Sequence, residues 1–312
     1  MTTGSLILIG LLQTLLIALA APLFSGFARV LRAKMHSRHG PGILQNYYDL
    51  IKLMKRQEII PVQGSLVFRF TPYLVIVAVL LLAMLLPILT TVSPFGWVGD
   101  MILAIYLLAL VRFFTSLSGL AAGSTFGGMG ARRELYLSAL TEPVLLLVLF
   151  VMALLAGSTN LGVISGGVAS GKVPYYATVW LGMISAAFVV FVEAGKLPFD
   201  LSEAEQELQE GPLTEYSGHG LALMKWGAYM KQLALVSLFL AVFVPFGSMT
   251  TPSAGAGLLA LLVFLVKAAA LYFVAAIVEN GMARVRFIKA PAATRIAMGV
   301  GLLCFAFYLV RI

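Results

Sequence analysis

Residues 71–92 read TPYLVIVAVLLLAMLLPILTTV, a run without a single charged side chain. About 20 mostly apolar residues are long enough to cross the hydrocarbon core of a bilayer as a helix. Similar runs recur along the whole chain. The sequence therefore predicts eight transmembrane spans, at residues 5–28, 71–92, 100–120, 134–156, 175–195, 232–248, 257–279 and 292–311.

The composition also indicates a membrane protein. Of the 312 residues, 61% are hydrophobic and 11% are charged, and the mean hydropathy is +1.00. A water-soluble domain has about 25% charged residues, because its surface must be polar. We therefore predict an all-α integral membrane protein that forms one polytopic domain, residues 1–312, and exclude soluble enzymes. The first apolar run lacks a basic leader, so we expect it to be a retained span rather than a cleaved signal peptide.

Positive charge is distributed unevenly between alternate loops. Eighteen of the 21 lysines and arginines lie in or beside the loops that follow odd-numbered spans. By the positive-inside rule these loops face the cytoplasm, which places both termini on the periplasmic side of a bacterial inner membrane. The net charge of +8 follows from this bias, and we expect no nucleic-acid binding. The predicted cytoplasmic loops are residues 29–69, 121–133, 196–231 and 280–291.

Residues that could hold a redox centre are scarce. Cys304 is the only cysteine, whereas an iron–sulfur cluster takes about four cysteine ligands. The three histidines, His36, His39 and His219, all lie outside the apolar runs. We therefore expect no catalytic residue, cofactor or metal in this chain, and we assign any redox chemistry to partner chains.

Residues 43–57, ILQNYYDLIKLMKRQ, are too polar to span the bilayer. Apolar residues such as Ile43, Tyr47 and Leu50 repeat at helical spacing, which predicts an amphipathic helix in the plane of the membrane surface. This helix is either a surface anchor or a lid or floor beside a site that is entered from the cytoplasm. The polar positions are Gln45, Asn46, Asp49, Lys52, Lys55 and Arg56.

The loop after the fifth predicted span, residues 193–218, reads EAGKLPFDLSEAEQELQEGPLTEYSG and holds seven of the chain's 13 acids. Apolar residues such as Phe199, Leu208 and Tyr216 alternate with the acids, and a solvated acidic surface would not need them. We therefore expect this acidic loop to fold against the membrane domain with some acids turned inward, and a solvated face is the alternative. The seven acids are Glu193, Asp200, Glu203, Glu205, Glu207, Glu210 and Glu215.

Four more charges lie in or near the predicted spans: Arg112, Glu142, Lys267 and Glu279. An ionisable group in hydrocarbon costs at least about 2.5–3.5 kcal/mol, so it usually faces the bundle interior or a wet path. One interpretation is a static ion pair between Arg112 and Glu142. The other is a proton-conducting chain with Glu142 and Glu193 inside and the loop acids at its mouth. Carboxyl groups suit this role because burial and like-charged neighbours raise the pKa of such a group.

The acidic loop resembles that of the quinone-chamber subunit of respiratory complex I and its homologues in membrane-bound nickel–iron hydrogenases. That family has the pattern E-x-N-R-x-P-F-D-L-x-E-x-E-x-E-L, which this chain matches from Glu193 to Leu208, with Gly195-Lys196 in place of Asn-Arg. The continuation QEGPLTEYSG, residues 209–218, is similar to the hydrogenase branch. The Gly-Lys departure therefore makes quinone binding doubtful.

Two further motifs extend the resemblance over nearly the whole chain. Residues 32–61 resemble the first cytoplasmic loop of the family, and GARRELYLSALTEP, residues 130–143, places Glu142 on the family's intramembrane glutamate. The resemblance implies a subunit that seats a hydrogenase on the membrane and couples its reaction to ion movement. The implied partners are nickel–iron hydrogenase large and small subunits, a ferredoxin-like iron–sulfur subunit, antiporter-like membrane subunits and a formate dehydrogenase. Those partners would hold the nickel–iron centre and the iron–sulfur clusters.

Two groups of residues follow from this interpretation. The expected coupling residues are Glu142, Glu193, Asp200, Glu203, Glu205, Glu207, Arg112, Lys267 and Glu279. The expected docking residues lie on a basic and an acidic loop, since complementary charge sets the orientation of partners. They are Arg32, Arg38, Gln45, Asp49, Lys52, Glu210 and Glu215.

Two other functions stay open from the sequence. The first is a quinone-binding subunit of an NADH:quinone oxidoreductase. The second is a free-standing secondary transporter, a class that often has an internal repeat with broken helices at matching positions. The halves 1–156 and 157–312 show no such repeat, which argues against a transporter.

Overall fold

The computed structural model describes residues 3–96, 98–173, 176–250 and 253–310. The regular elements of these residues are all helices, and we number the α-helices in chain order. They are α1 (Thr3–Met35), α2 (Gln45–Met54), α3 (Leu66–Leu85), α4 (Met101–Ala121), α5 (Thr125–Ala156), α6 (Leu161–Ala169), α7 (Ala177–Glu193), α8 (Glu205–Leu208), α9 (Gly218–Phe243), α10 (Ala254–Gly281) and α11 (Ala290–Val310).

Seven helices of the described residues are long and apolar enough to cross a membrane: α1, α3, α4, α5, α9, α10 and α11. The predicted all-α membrane fold is therefore confirmed. Helix α7 is equally apolar but has 17 residues, or about 26 Å at 1.5 Å per residue, and lies at the predicted fifth span. The exact number of eight spans and the periplasmic termini stay predictions.

Two helices begin well before the predicted spans. Helix α9 begins at Gly218 rather than 232, and α5 begins at Thr125 rather than 134. The predicted starts place Lys231 just before one span and Glu134 at the first residue of the other. In the structure both charges lie inside helices and pair with each other, and residues 218–231 of the predicted loop 196–231 belong to α9.

Helix α9 is the most buried of the spanning helices. Helices α1, α2, α3 and α7 all pack against it. Small residues allow this close packing, as at Gly227, where a Cβ would lie 2.6 Å from a methyl group of Val75 on α3. The middle of α9 therefore meets side chains from several helices at once.

Prolines inside α1 and α3 free backbone carbonyl groups that side chains then bind. Pro22 has no N–H to donate to the carbonyl four residues earlier, and Nε1 of Trp226 donates to that oxygen at 2.9 Å. Pro72 frees a carbonyl in the same way, and the Tyr216 hydroxyl donates to it at 2.8 Å. These bonds tie α9 to α1 and the end of the acidic loop to α3.

The amphipathic helix α2 is present, but it uses its faces differently from the prediction. Asn46, on the predicted polar face, is buried and donates to the carbonyl of Pro22 at 3.1 Å. Asp49 lies 4.0 Å from Arg29 of α1. Part of the polar face is therefore turned toward the protein, and Tyr48 and other large side chains point outward.

Candidate functional site

The acidic loop folds back onto α5, as predicted. Phe199, Leu201 and Leu208 are buried, which contradicts a fully solvated face. At the turn after α8, Gly211 has a φ of +54°, and a Cβ there would lie 1.9 Å from the carbonyl oxygen of Ser202. Glycine permits both the backbone conformation and the close approach, so it fixes where the loop acids lie.

Arg112 is the centre of a buried group of charges that we call the Arg112 cluster. Its guanidinium group forms an ion pair with Glu193 and lies 3.5 Å from Glu134, whose carboxylate lies 3.8 Å from Lys231. Arg112 also donates to the Thr141 hydroxyl at 3.3 Å, and Thr141 donates to Glu193. Helices α4, α5, α7 and α9 thus bring together two cations and two carboxylates. The residues Arg112 and Glu193 are only 3% and 4% exposed.

Glu142 lies outside the Arg112 cluster. The Ser138 hydroxyl donates to its carboxylate within α5, and none of the ion pairs between described residues includes it. The interpretation of a static pair between Arg112 and Glu142 is therefore wrong. One residue turns the helix by about 100°, so Glu142 points to a different side of α5 from Thr141.

Two adjoining cavities lead from the acidic loop to the Arg112 cluster. The inner cavity, of about 80 Å³, is lined by all four charged residues of the cluster. The outer cavity, of about 390 Å³, lies between the acidic loop and α1. Glu203 and Gln232 line both cavities. The charged residues of the outer cavity are Arg29, Arg32, Lys196, Asp200, Glu203, Glu210, Lys225 and Arg284.

Glu203 stands between the two cavities and is accessible to water there. The surrounding protein atoms desolvate its carboxylate, and this burial raises the pKa of Glu203 to about 7. The like charges of Glu134 and Glu210 raise the pKa as well, and Lys196 opposes them. The raised pKa makes Glu203 a loop carboxyl group suited to exchanging a proton near neutral pH.

Other loop acids are held in ion pairs. Asp200 accepts two bonds from Arg284, 2.9 Å from Nε and 2.6 Å from Nη2. Glu215 is half-buried, and the side chain of Glu205 lies outside the described residues. These pairs anchor the acidic loop, whereas Glu203 lines both cavities. The remaining pairs of the loop are Glu207 with Arg133 at 2.7 Å and Glu210 with Lys225 at 3.1 Å.

The structure places Glu279 and Lys267 in different surroundings. Glu279 is buried 3.1 Å from Arg32 and 3.9 Å from Lys196, which both line the outer cavity. Lys267 donates to two carbonyl groups just beyond the end of α9, one of them that of Val244 at 2.7 Å. The structure therefore brings Glu279 to the outer cavity but does not bring Lys267 to the described carboxylates.

Sequence reasoning missed Glu134, Thr141 and Lys231. It placed Glu134 and Lys231 at the ends of spans, where a charge needs no partner. A signal was available in the spacing, since Glu134, Ser138 and Thr141 recur at i, i+4 and i+7 and so share one face of an apolar helix. No comparable signal distinguishes Lys231 in its own segment.

The predicted docking residues divide into two kinds. Arg38 and Lys52 are exposed. Gln45 donates to Asp49 at 2.9 Å, and Arg32 forms the ion pair with Glu279. The second kind is engaged in contacts within α2 and between α1 and α10, so exposed charge for a partner comes mainly from the first kind.

The fold and the site define a class of protein: a polytopic helical membrane protein in which buried ionisable groups extend from a folded acidic loop into the helix bundle. Within the described part of the chain, no group of three or more His, Cys, Asp or Glu side chains is arranged to hold a metal ion.

Comparison with known proteins identifies the family. Residues 7–309 match the family model described as NADH dehydrogenase, and the chain belongs to this family. It is 49% identical to Hydrogenase-4 component C of Escherichia coli (strain K12), over 98% of this chain and 97% of that protein. It is 47% identical to Formate hydrogenlyase subunit 4 of the same organism, over 96% and 97%. The resemblance inferred from the motifs is confirmed.

A solved structure has the same fold. It is a chain of the membrane-bound sulfane sulfur reductase, an archaeal respiratory membrane complex, with a TM-score of 0.80. The match covers 96% of this chain and 99% of that chain at 24% identity. Together these matches make the chain a multi-pass membrane protein of the kind found in multisubunit respiratory and hydrogenase complexes.

Proposed function

We propose that this chain anchors a multisubunit hydrogenase of the formate hydrogenlyase type to the bacterial inner membrane and couples its reaction to proton or charge movement. The observation that carries the proposal is the Arg112 cluster, which joins a water-accessible cavity to the interior of the bundle. Two relatives that match the chain over almost its full length are named for hydrogenase complexes, which supports the choice of complex.

The coupling would start at Glu203. When the charge on a docked partner becomes more negative, Glu203 takes up a proton, because like charge raises the pKa of a carboxyl group further. When Glu203 loses that proton, its negative charge lies near Glu134 and Glu193. The three carboxylates then compete for the two cations, Arg112 and Lys231. A proton would therefore pass inward through the inner cavity, and Glu142 is the next carboxyl group on α5.

The redox chemistry would belong to partner chains. These are nickel–iron hydrogenase large and small subunits, a ferredoxin-like iron–sulfur subunit, antiporter-like membrane subunits and a formate dehydrogenase. We expect docking over the first loop and the acidic loop, because Arg38 and Lys52 are exposed on one and Glu207 is exposed on the other. Such complementary charge fixes orientation more than affinity.

The experiment compares Glu203→Gln with Glu207→Gln in membranes that contain the complex. Both variants remove one loop carboxylate, but Glu203 lines the cavities and Glu207 pairs with Arg133 near the surface. Glu203→Gln should leave the complex assembled and reduce proton-linked hydrogen evolution by about a hundredfold or more, the usual range for a lost proton-transfer group. Glu207→Gln removes a docking charge, so it can change how much complex assembles, but hydrogen evolution per assembled complex should stay at the wild-type level.

The outcomes separate the proposal from its alternatives. The complex that purifies with this chain should contain nickel–iron hydrogenase subunits. NADH dehydrogenase subunits together with bound quinone would instead support the quinone-binding alternative. Full hydrogen evolution with an unchanged pH profile in Glu203→Gln would contradict the coupling role and leave only the anchoring role.

A further inference from the structure

An apolar groove lies outside the Arg112 cluster, between α7 and α10 on the surface of α9. Its volume is about 280 Å³, and apolar side chains such as Phe191, Phe239 and Val274 form its walls. Along α9 it extends from residue 232 to residue 239, or about 10 Å at 1.5 Å per residue. Val274 is exposed, so the groove is open to the surface of the spanning helices, where lipid lies.

Two residues that line this groove, Tyr272 and Gln232, each have a buried polar atom without a hydrogen-bond partner among the described residues. Tyr272 lines it and is 3% exposed, yet its hydroxyl has no hydrogen-bond partner among the described residues. Stacking on Phe24, with ring centroids 5.3 Å apart, holds the tyrosine ring in place. Oε1 of Gln232 is likewise buried without a described donor. An unpaired hydroxyl at membrane depth is costly, so Tyr272 indicates a ligand that supplies an acceptor atom.

Lys196 provides positive charge at the end of the groove beside the acidic loop. Lys196 and Arg32 both face Glu279, at 3.9 Å and 3.1 Å, so two cations share one carboxylate. Burial lowers the pKa of Lys196, as expected for an ammonium group that lacks sufficient compensating charge. An anionic group at this end of the groove would supply that charge.

We propose that the groove binds one anionic phospholipid, with its phosphate at Lys196, an ester carbonyl at the Tyr272 hydroxyl and an acyl chain along α9. This ligand has the acceptor atoms, the negative charge and the apolar chain that the groove requires. An apolar helix of a neighbouring subunit would leave the Tyr272 hydroxyl without an acceptor and would bring no second negative charge to Lys196, and a quinone carries no negative charge. Because Gln232 lines the groove and both cavities, the lipid would seal the proton-conducting cavities from the bilayer.

The test uses the intact complex in vesicles of phosphatidylcholine that contain a phosphatidylglycerol with a photoreactive acyl chain. Adducts are mapped by peptide mass spectrometry. In the wild-type complex we expect adducts on α7 and α10 beside the groove, and unlabelled phosphatidylglycerol should compete better than phosphatidylcholine. Ala187→Phe fills the groove and should reduce labelling by about tenfold or more. Ala270→Phe, on an exposed position of α10 outside the groove lining, is the matched control and should leave labelling unchanged.

Two further variants test the polar contacts. Lys196→Gln should abolish the preference for the anionic headgroup. Tyr272→Phe retains the ring and removes one hydrogen bond, so labelling should fall about two- to tenfold. Three results would each overturn the proposal. The first is equal labelling of Ala187→Phe and the wild type, and the second is equal competition by the two lipids. The third is replacement of the lipid by an added quinone. A photocrosslink from position 274 to another subunit in place of lipid would also overturn it.

Discussion

Arg112 and Lys267 are both cations inside spanning helices, yet their surroundings differ. Arg112 meets two carboxylates at the edge of a cavity that Glu203 shares. Lys267 donates instead to two backbone carbonyl groups near the end of α9. A carboxylate is a group that can exchange a proton, whereas an amide carbonyl is not. An intramembrane charge is thus a candidate coupling residue only when its partners can titrate.

The position of Lys267 has a structural explanation. The last carbonyl groups of a helix have no partner within that helix, and a lysine from a neighbouring helix can bind them. Helix α9 ends at Phe243, and Lys267 of α10 donates to carbonyls just after that end. We therefore expect the two cations to respond differently to substitution.

The largest effect is expected for Arg112→Gln. The substitution leaves Glu134 and Glu193 buried with only Lys231 nearby, and breaking a buried ion pair costs about 3–5 kcal/mol. The amount of assembled complex in membranes should fall sharply, measured by quantitative immunoblotting after native electrophoresis. Adding Glu193→Gln should restore part of the assembly, and normal assembly of the single variant would show that the cluster does not stabilise the fold.

A smaller loss is expected for Lys267→Met. The variant leaves two carbonyl groups without donors, which costs about 1–3 kcal/mol. The thermal midpoint of the complex should fall, but hydrogen evolution per assembled complex should stay at the wild-type level. If the fully assembled complex lost proton-linked activity, Lys267 would be a coupling residue, and its role would not differ from that of Arg112.

Tyr216→Phe should have a smaller effect still. The ring remains stacked on Phe68, with centroids 4.1 Å apart, but the carbonyl freed by Pro72 loses its donor. The free energy of unfolding should fall by about 1 kcal/mol, measured by thermal denaturation in detergent. Tyr106→Phe, at an exposed position of α4, serves as the control and should change little. Equal stability of both variants would mean that another group binds the freed carbonyl.

The smallest effect on stability, with a distinctive pH dependence, is expected for Glu203→Gln. Burial raises the pKa of Glu203 from 4.5 to about 7, so between these values the folded protein binds more protons than the unfolded chain. The contribution of this group to the free energy of unfolding therefore falls as pH rises through that interval. The thermal midpoint should fall less in Glu203→Gln than in the wild type between pH 5 and pH 7. If the thermal midpoints of the two proteins changed in parallel with pH, the raised pKa of Glu203 would be contradicted.

The sequence by itself determined the class of fold and the family. Apolar length is a local property, so runs such as residues 71–92 are visible without any tertiary information. The alternation of acids with Phe199 and Tyr216 likewise predicted that the acidic loop folds inward. Span boundaries were less certain, because a charge such as Glu134 looks the same in sequence at the membrane surface and inside a helix.

Only the tertiary structure decided which charges meet. Arg112 pairs with Glu193 rather than Glu142 because pairing depends on the faces that α4, α5 and α7 turn toward each other, and a single residue changes that face by about 100°. The same reason explains why Lys231 joins the cluster from α9 and why Tyr216 reaches the carbonyl that Pro72 frees on α3. Contacts between helices distant in sequence are set by packing, and no local pattern encodes them.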